Sequence, residues 1–197
     1  MPNIYHYDVK NCYYIPGVRN EDGTVTFDAS RVRQEKGLMS MEMQANGETS
    51  TIRADGIDYI VFSSNNGYTG TLKFVQISDQ FRQDNLAEKV DISTGIQYED
   101  ADSTPTPFAL MGEFKGDAEG VRWIYYNCTA SRPNANGDNK DNQKEPDTES
   151  LSVTVSPLPV TIDGKEVNIV KGGITKSANA ETYNKWFTKV TIPGVAA

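Results

Sequence analysis

Residues 37–81, a β-strand pattern that runs straight into a short helix, constrain the fold more than any other stretch. Apolar and polar residues alternate there, and turn residues cut the alternation three times, at Asn46-Gly47, Asp55-Gly56 and Asn65-Asn66-Gly67. Successive side chains of a strand point to opposite faces, so alternation of period two reads as half-buried strands. Asn-Gly and Asp-Gly tolerate positive φ and mark hairpins. The first run, 38–45, sets Met39, Met41, Met43 and Ala45 against Ser40, Glu42 and Gln44. Residues 49–54 resume strand character, and 57–63 set Ile60 and Phe62 against Tyr59 and Val61. Residues 68–77 form the longest strand candidate, with Leu72 and Phe74 opposite Val75 and Ile77. The period then changes. Residues 78–89 read as a short helix capped by Ser78 or Asp79, whose side-chain oxygens accept backbone N–H bonds. A full capping box is absent, because Phe81 and Arg82 stand where it needs Glu or Gln. Phe81 and Leu86 share an apolar stripe, and a helix this short needs a sheet to pack against.

The rest of the chain is also strand-rich. A first strand falls within 4–15, followed by an Asp22-Gly23 turn and a polar loop or helical turn over 28–37. Residues 90–107 read as a polar connection with short extended pieces such as 96–98. FALMGEFK (108–115) and VRWIYYNCTA (121–130) form a strand pair joined by GDAEG. Apart from prolines, 131–150 holds no apolar residue larger than alanine until the next strand, so it reads as a solvated, mobile loop. Leu151, Val153 and Val155 mark a strand, and Asp163-Gly164 turns a hairpin within 160–170. A second helix lies within 178–190, capped by Asn179 or Ser177. Its Tyr183, Trp186, Phe187 and Val190 share one face, and a frayed tail follows. The whole is one mainly-β domain over residues 1–197.

Hydrophobic residues make up 37 % of the chain, which suits antiparallel strands with one wet face. No run of about 20 apolar residues would span a membrane. MPNIYHYDVKNC has neither a basic n-region nor an apolar h-region, so a cytoplasmic site of synthesis and assembly is expected. The net charge of −8 disfavours wrapping nucleic acid, because phosphate neutralisation needs a basic patch. A passage lined by like charge would let DNA slide. Cys12 and Cys128 are too few for a disulfide framework and read as buried free thiols. His6 is the single histidine, which leaves no basis for a Ser-His-Asp triad elsewhere. No CxxC, HExxH, phosphate loop or calcium loop occurs. The carboxylates at Glu21-Asp22 and at Glu99-Asp100 with Asp102 read as solvated turn residues. No enzyme, cofactor or metal is expected.

Five segments in order carry a resemblance: KNCYYI, GLMSMEMQANGETSTIRADGIDY, SSNNGYTGTLKFVQISDQFRQDNL, TPFALMGEFKGDAEGVRWIYYNCTASRP and ETYNKWFTKV. Together they span nearly the whole chain. The chain resembles the major tail proteins, or tail-tube proteins, of long non-contractile-tailed bacteriophages, particularly those of Gram-positive hosts. The loop at 134–145 is long for that pattern. The resemblance implies a β-sandwich or partly open β-barrel with one flanking α-helix and a short C-terminal helix. It implies hexameric rings that stack into a tube, with strands of each subunit joining a continuous inner barrel through which DNA passes without specific binding. The other partners implied are tape-measure and tail-terminator proteins, with no membrane, and the location is the virion tail. On this reading Ser40, Glu42 and Gln44 are candidates for the lumen face. Met39, Met41 and Met43 would pack under the helix that carries Phe81 and Leu86. Asp28, Arg31, Arg33, Glu48, Arg53 and Asp55 would lie on ring-stacking loops. The competing expectation is a phage baseplate or decoration protein, or a carbohydrate-binding β-sandwich.

Overall fold

The computed structural model describes residues 8–116, 119–135, 137 and 147–194. His6, the start of the expected first strand, half of the expected 131–150 loop and the last three residues lie outside the described residues.

The chain folds as β1 (Asp8–Arg19), β2 (Val25–Phe27), a 3-10 turn (Ala29–Arg31), β3 (Arg33–Gln34), β4 (Leu38–Ala45), β5 (Thr49–Ala54), β6 (Ile57–Ser63), β7 (Tyr68–Phe74) and α1 (Asp79–Asn85). There follow β8 (Lys89–Val90), β9 (Gln97–Tyr98), β10 (Phe108–Lys115), β11 (Arg122–Ala130), β12 (Glu149–Val155), β13 (Leu158–Ile162), β14 (Lys165–Ile169), β15 (Lys171–Ile174), α2 (Ala180–Asn184) and a closing 3-10 turn (Trp186–Thr188). It is a mainly-β, sandwich-like fold built on one large antiparallel sheet of order β2-β1-β10-β11-β12-β7-β4. β3 adds to β1, and β15 adds to β11. Three two-stranded ribbons, β5–β6, β8–β9 and β13–β14, stand apart from it.

The strands β1, β10 and β11 are the centre, because both of their faces are covered. One face holds Cys12, Tyr14, Phe108, Leu110, Trp123 and Tyr125 under α1 and the β12–β7 pair. The other holds Ile15, Ala109, Met111, Ile124 and Tyr126 under Leu158 and Trp186. Strands buried on both faces lose the clean alternation of a half-wet sheet. That is why FALMGEFK and RWIYYNCTA are almost continuously apolar.

Irregularities decide which side chains reach the core. On β4 the register passes from Leu38↔Phe74 to Ser40↔Lys73, so Met39 is an extra residue that opposes nothing. The bulge reverses the phase of the strand. Leu38, Met41 and Met43 therefore pack against the core, while Met39 is 54 % exposed. The expectation that all three methionines lie under the helix is corrected at Met39. A similar shift on β1 between Lys10 and Tyr13 accompanies Asn11 at φ 52°.

The two helices are fixed by caps and by aromatic packing. The Ser78 hydroxyl accepts the Phe81 N–H at 3.1 Å. The capping box that α1 lacks in sequence is completed from across the fold, since Glu35 accepts the Ser78 N–H at 2.8 Å and its hydroxyl at 2.6 Å. Phe81 then stands edge-on to Tyr14 and Phe108. In the second helix Asn179 accepts the Thr182 N–H at 2.9 Å. The single helix expected over 178–190 is instead two pieces broken at Lys185. The break lets Trp186 bury and donate to the Trp123 carbonyl at 3.4 Å.

Candidate assembly surfaces

The β4, β7 and β12 strands form a sheet whose outward face, beyond the Met39 bulge, is polar. Three cross-strand rows build it: Ser40, Lys73 and Ser150; Glu42, Thr71 and Ser152; Gln44, Thr69 and Thr154. Inward partners such as Met41, Leu72 and Leu151 anchor each strand in the core. An open groove runs over Glu42, Gln44, Thr69, Thr71, Ser152 and Thr154. The rows hold one carboxylate and one ammonium among hydroxyls and an amide, so the face is hydrated and nearly neutral. Such a face lacks both the cation cluster that grips phosphate and the apolar floor of a small-molecule pocket. β4 pairs only with β7, so its outer edge carries unpaired backbone groups among the described residues. The structure thus places Ser40, Glu42 and Gln44 together on one face of an edge strand.

The β5–β6 hairpin projects from the sheet, and nearly all of its side chains are exposed. Its register pairs Ser50 with Phe62, Ile52 with Ile60 and Ala54 with Ile57, which collects an apolar face. The opposite face pairs Thr49 with Ser63, Thr51 with Val61 and Arg53 with Asp58, the last as an ion pair at 2.6 Å. A shift between Ile52 and Arg53 leaves Tyr59 unpaired, and it is 66 % exposed. The turn uses Asp55 at φ 55° and Gly56 at φ 79°, the left-handed pair that Asp-Gly supports. The root is rigid: Ser64 donates to the Glu48 carbonyl at 3.0 Å, and Asn66 donates to that of Asn46 at 2.8 Å. A Cβ on Gly47 would lie 2.1 Å from the Ser64 carbonyl oxygen, so only glycine admits this approach. Glu48, Arg53 and Asp55 therefore belong to a defined arm.

The other three stacking candidates are placed differently. Asp28 caps the 3-10 turn by accepting the Ser30 N–H at 2.9 Å, which holds its carboxyl below the usual range. Arg31 and Arg33 turn back onto α1, where Asp84 receives both guanidinium groups at 3.0 and 3.1 Å and the Tyr14 hydroxyl at 3.1 Å. Burial, and then the Asp84 charge, push the Tyr14 phenol well above its ordinary range. These two arginines brace the first strands to the helix and share the one Asp84 carboxylate.

The ionisable groups of the interior are structural. Burial pushes the Cys12 thiol up to about 12, with Glu35 adding to it, and burial also raises Cys128. Neither offers a thiolate nucleophile near neutrality. Burial opposes ionisation of Glu113, but hydrogen bonds from Arg122, Lys10 and Asn11 outweigh it and hold the carboxyl below the usual range. Arg122 also lies 3.9 Å over the Tyr183 ring and donates to the Tyr183 carbonyl, tying α2 to β11. Among the described residues, no group of three His, Cys, Asp or Glu is arranged to hold a metal ion. No described helix is long and apolar enough to cross a membrane.

Sequence reasoning missed Glu35, Asp84 and Glu113, because each acts on a partner more than 40 positions away or across a bulge. It also read residues 90–107 as a polar connection. The ribbon there exposes Val90, Ile92, Ile96 and Tyr98. Their spacing of two was the available signal. Compared with known proteins, the chain matches no family model and no curated protein.

Proposed function

We propose that this chain is a structural virion protein, the repeating subunit of the tail tube of a long non-contractile-tailed bacteriophage. Rings of six subunits stack into a tube, and the polar β4-β7-β12 face lines the passage for DNA. Tape-measure and tail-terminator proteins set the length and close the end. Assembly takes place in the host cytoplasm, and no catalysis is involved.

The observation that carries this reading is the β5–β6 arm. A two-stranded hairpin is marginal alone in water. Here Ile52, Ile57, Ile60 and Phe62 lie on one face that nothing in the described chain covers. Contiguous exposed apolar surface marks an interaction site. The open edge of β4 adds a second incomplete surface, and closing a ring of copies would complete it. The hydrated face beside that edge suits a passage that must not hold what moves through it.

Negative-stain electron microscopy of the purified chain over a concentration series tests the proposal. Hollow tubes or six-fold rings are expected. A chain that stays monomeric at every concentration, with glycan binding in a sugar screen, would replace the proposal with a binding module.

A further inference from the structure

We propose that the β8–β9 ribbon is a docking finger, and that its receptor is the lysine-bearing surface around β15 of a second copy of this chain. The contact deepens the assembly reading above and rests on it.

The finger is built for presentation. Asp91 accepts the Ser93 N–H and hydroxyl at 2.9 and 2.7 Å and the Thr94 hydroxyl at 2.7 Å. Backbone bonds from Gly95 to Asp91 and from Asp91 to Ile96 close the turn. The loop is therefore ordered in advance and loses little conformational freedom on docking. At its tip Ile92 is 98 % exposed, backed by exposed Val90, Ile96 and Tyr98. A rigid turn that shows isoleucine to water gains by covering it.

Charge identifies the occupant. Residues 88–102 hold five carboxylates and one cation, Lys89. Glu88, Glu99 and Asp100 pair with Arg82, Arg132 and Lys89, while Asp91 and Asp102 have no counter-charge among the described residues. Residues 165–189 hold five lysines and two glutamates. Lys185 pairs with Glu181; among the described residues Lys176 enters no ion pair, and Lys171 enters none, its ammonium lying 5.1 Å from the Tyr68 ring centroid. The Glu119 carboxylate at this site accepts from the Ser177 hydroxyl. β15 itself is a short strand paired only to β11, with Gly172 and Gly173 between the lysines.

The two surfaces lie at opposite ends of one strand. Arg132, two residues past the end of β11, bonds Glu99 and the Asp100 carbonyl. β15 pairs with Arg122–Tyr125, at the start of β11. Eight steps of a strand separate them by roughly 26 Å. One chain therefore cannot join its own finger to its own lysines, and the union is a head-to-tail contact between copies. Such a contact is heterologous and repeats, which builds a ring or a filament.

Charge reversal in the full-length chain tests this by sedimentation and electron microscopy, with circular dichroism to confirm the fold. One variant carries Ile92→Lys with Asp102→Lys, the other Lys171→Glu with Lys176→Glu; all four positions are exposed. Each variant alone is expected to need on the order of tenfold more protein to assemble, because like charges meet. An equimolar mixture, in which each finger meets an opposite receptor, is expected to recover assembly, as is the chain carrying all four changes. Folded variants that assemble like the unmodified chain, or a mixture no better than its components, would overturn this contact while leaving the tube reading intact. An unmodified chain that never assembles would overturn both.

Discussion

The β10–β11 pair and the β5–β6 hairpin are both antiparallel ladders of apolar-rich strands, yet they end in opposite environments. Along β10 and β11 nearly every side chain is buried, on both faces. Along β5 and β6 almost none is, although Ile52, Ile57, Ile60, Val61 and Phe62 are as apolar as anything in the core. Hydrophobic burial is the main favourable term in folding, so the first pair stabilises the subunit and the second contributes almost nothing to it. The proposed function gives the apolar content of the arm a reason, as surface covered on assembly. On the proposed reading, folding and assembly fall to different hairpins of one chain.

That contrast can be tested from both sides. Phe81→Ala, beneath the Tyr14 and Phe108 rings, is expected to cost about 3–5 kcal/mol in denaturant unfolding, because it opens a cavity in a closed core. Glu113→Ala leaves Arg122 and Lys10 without their carboxylate and is expected to cost about 3 kcal/mol, enough to loosen α2. A loss below about 0.5 kcal/mol in either case would mean the centre is less closed than described.

Two carboxylates give opposite pH signatures. Glu113 has a lowered folded value, so its contribution is present above the ordinary carboxylate range and fades as pH falls towards that lowered value. Glu35 is raised by burial, the hydrogen bonds from Ser78 opposing, so its contribution is present at low pH and is lost as pH rises through the folded value. Glu35→Gln keeps an acceptor for Ser78 but removes the buried charge. Thermal melts from pH 4 to 8 should show its advantage over the unmodified chain growing as pH rises; a constant offset would contradict the assignment.

The smallest effect on stability is expected at the arm. Ile60→Asp with Phe62→Asp should shift unfolding of the subunit by no more than about 1 kcal/mol, because both side chains are exposed on the arm, Ile60 at 39 % and Phe62 at 55 %. The same pair should abolish rings and tubes in the microscope. Loss of subunit stability instead would show that the arm packs on its own chain.

The bounds of β4, β5 and β6 were legible from alternation and from Asn-Gly and Asp-Gly turns, and β10 from its apolar run between TPTP and GDAEG, since those signals are local. The side to which each residue turns was legible only between bulges. Met39 is exposed because one extra residue reverses the strand, and nothing in LMSMEM reports that Leu38 takes its place. The polar row of Ser40, Glu42 and Gln44 could be read, but its partners on β12 lie over 100 residues away, and sequence gives no register across that distance. Arg31 and Arg33 read as ring-stacking residues because their partner, Asp84, lies on a helix more than 50 positions away. Long-range pairing is set by packing of the whole chain, which local propensity does not encode.

The two buried thiols have a practical consequence. Burial pushes the Cys12 thiol up to about 12 and raises Cys128 as well, so both stay protonated at neutral pH, and neither sulfur faces solvent. The native chain is therefore nearly silent to maleimides. A single Ile92→Cys or Tyr59→Cys replacement would become its one fast-reacting position, so that a fluorophore could watch either surface being covered in real time.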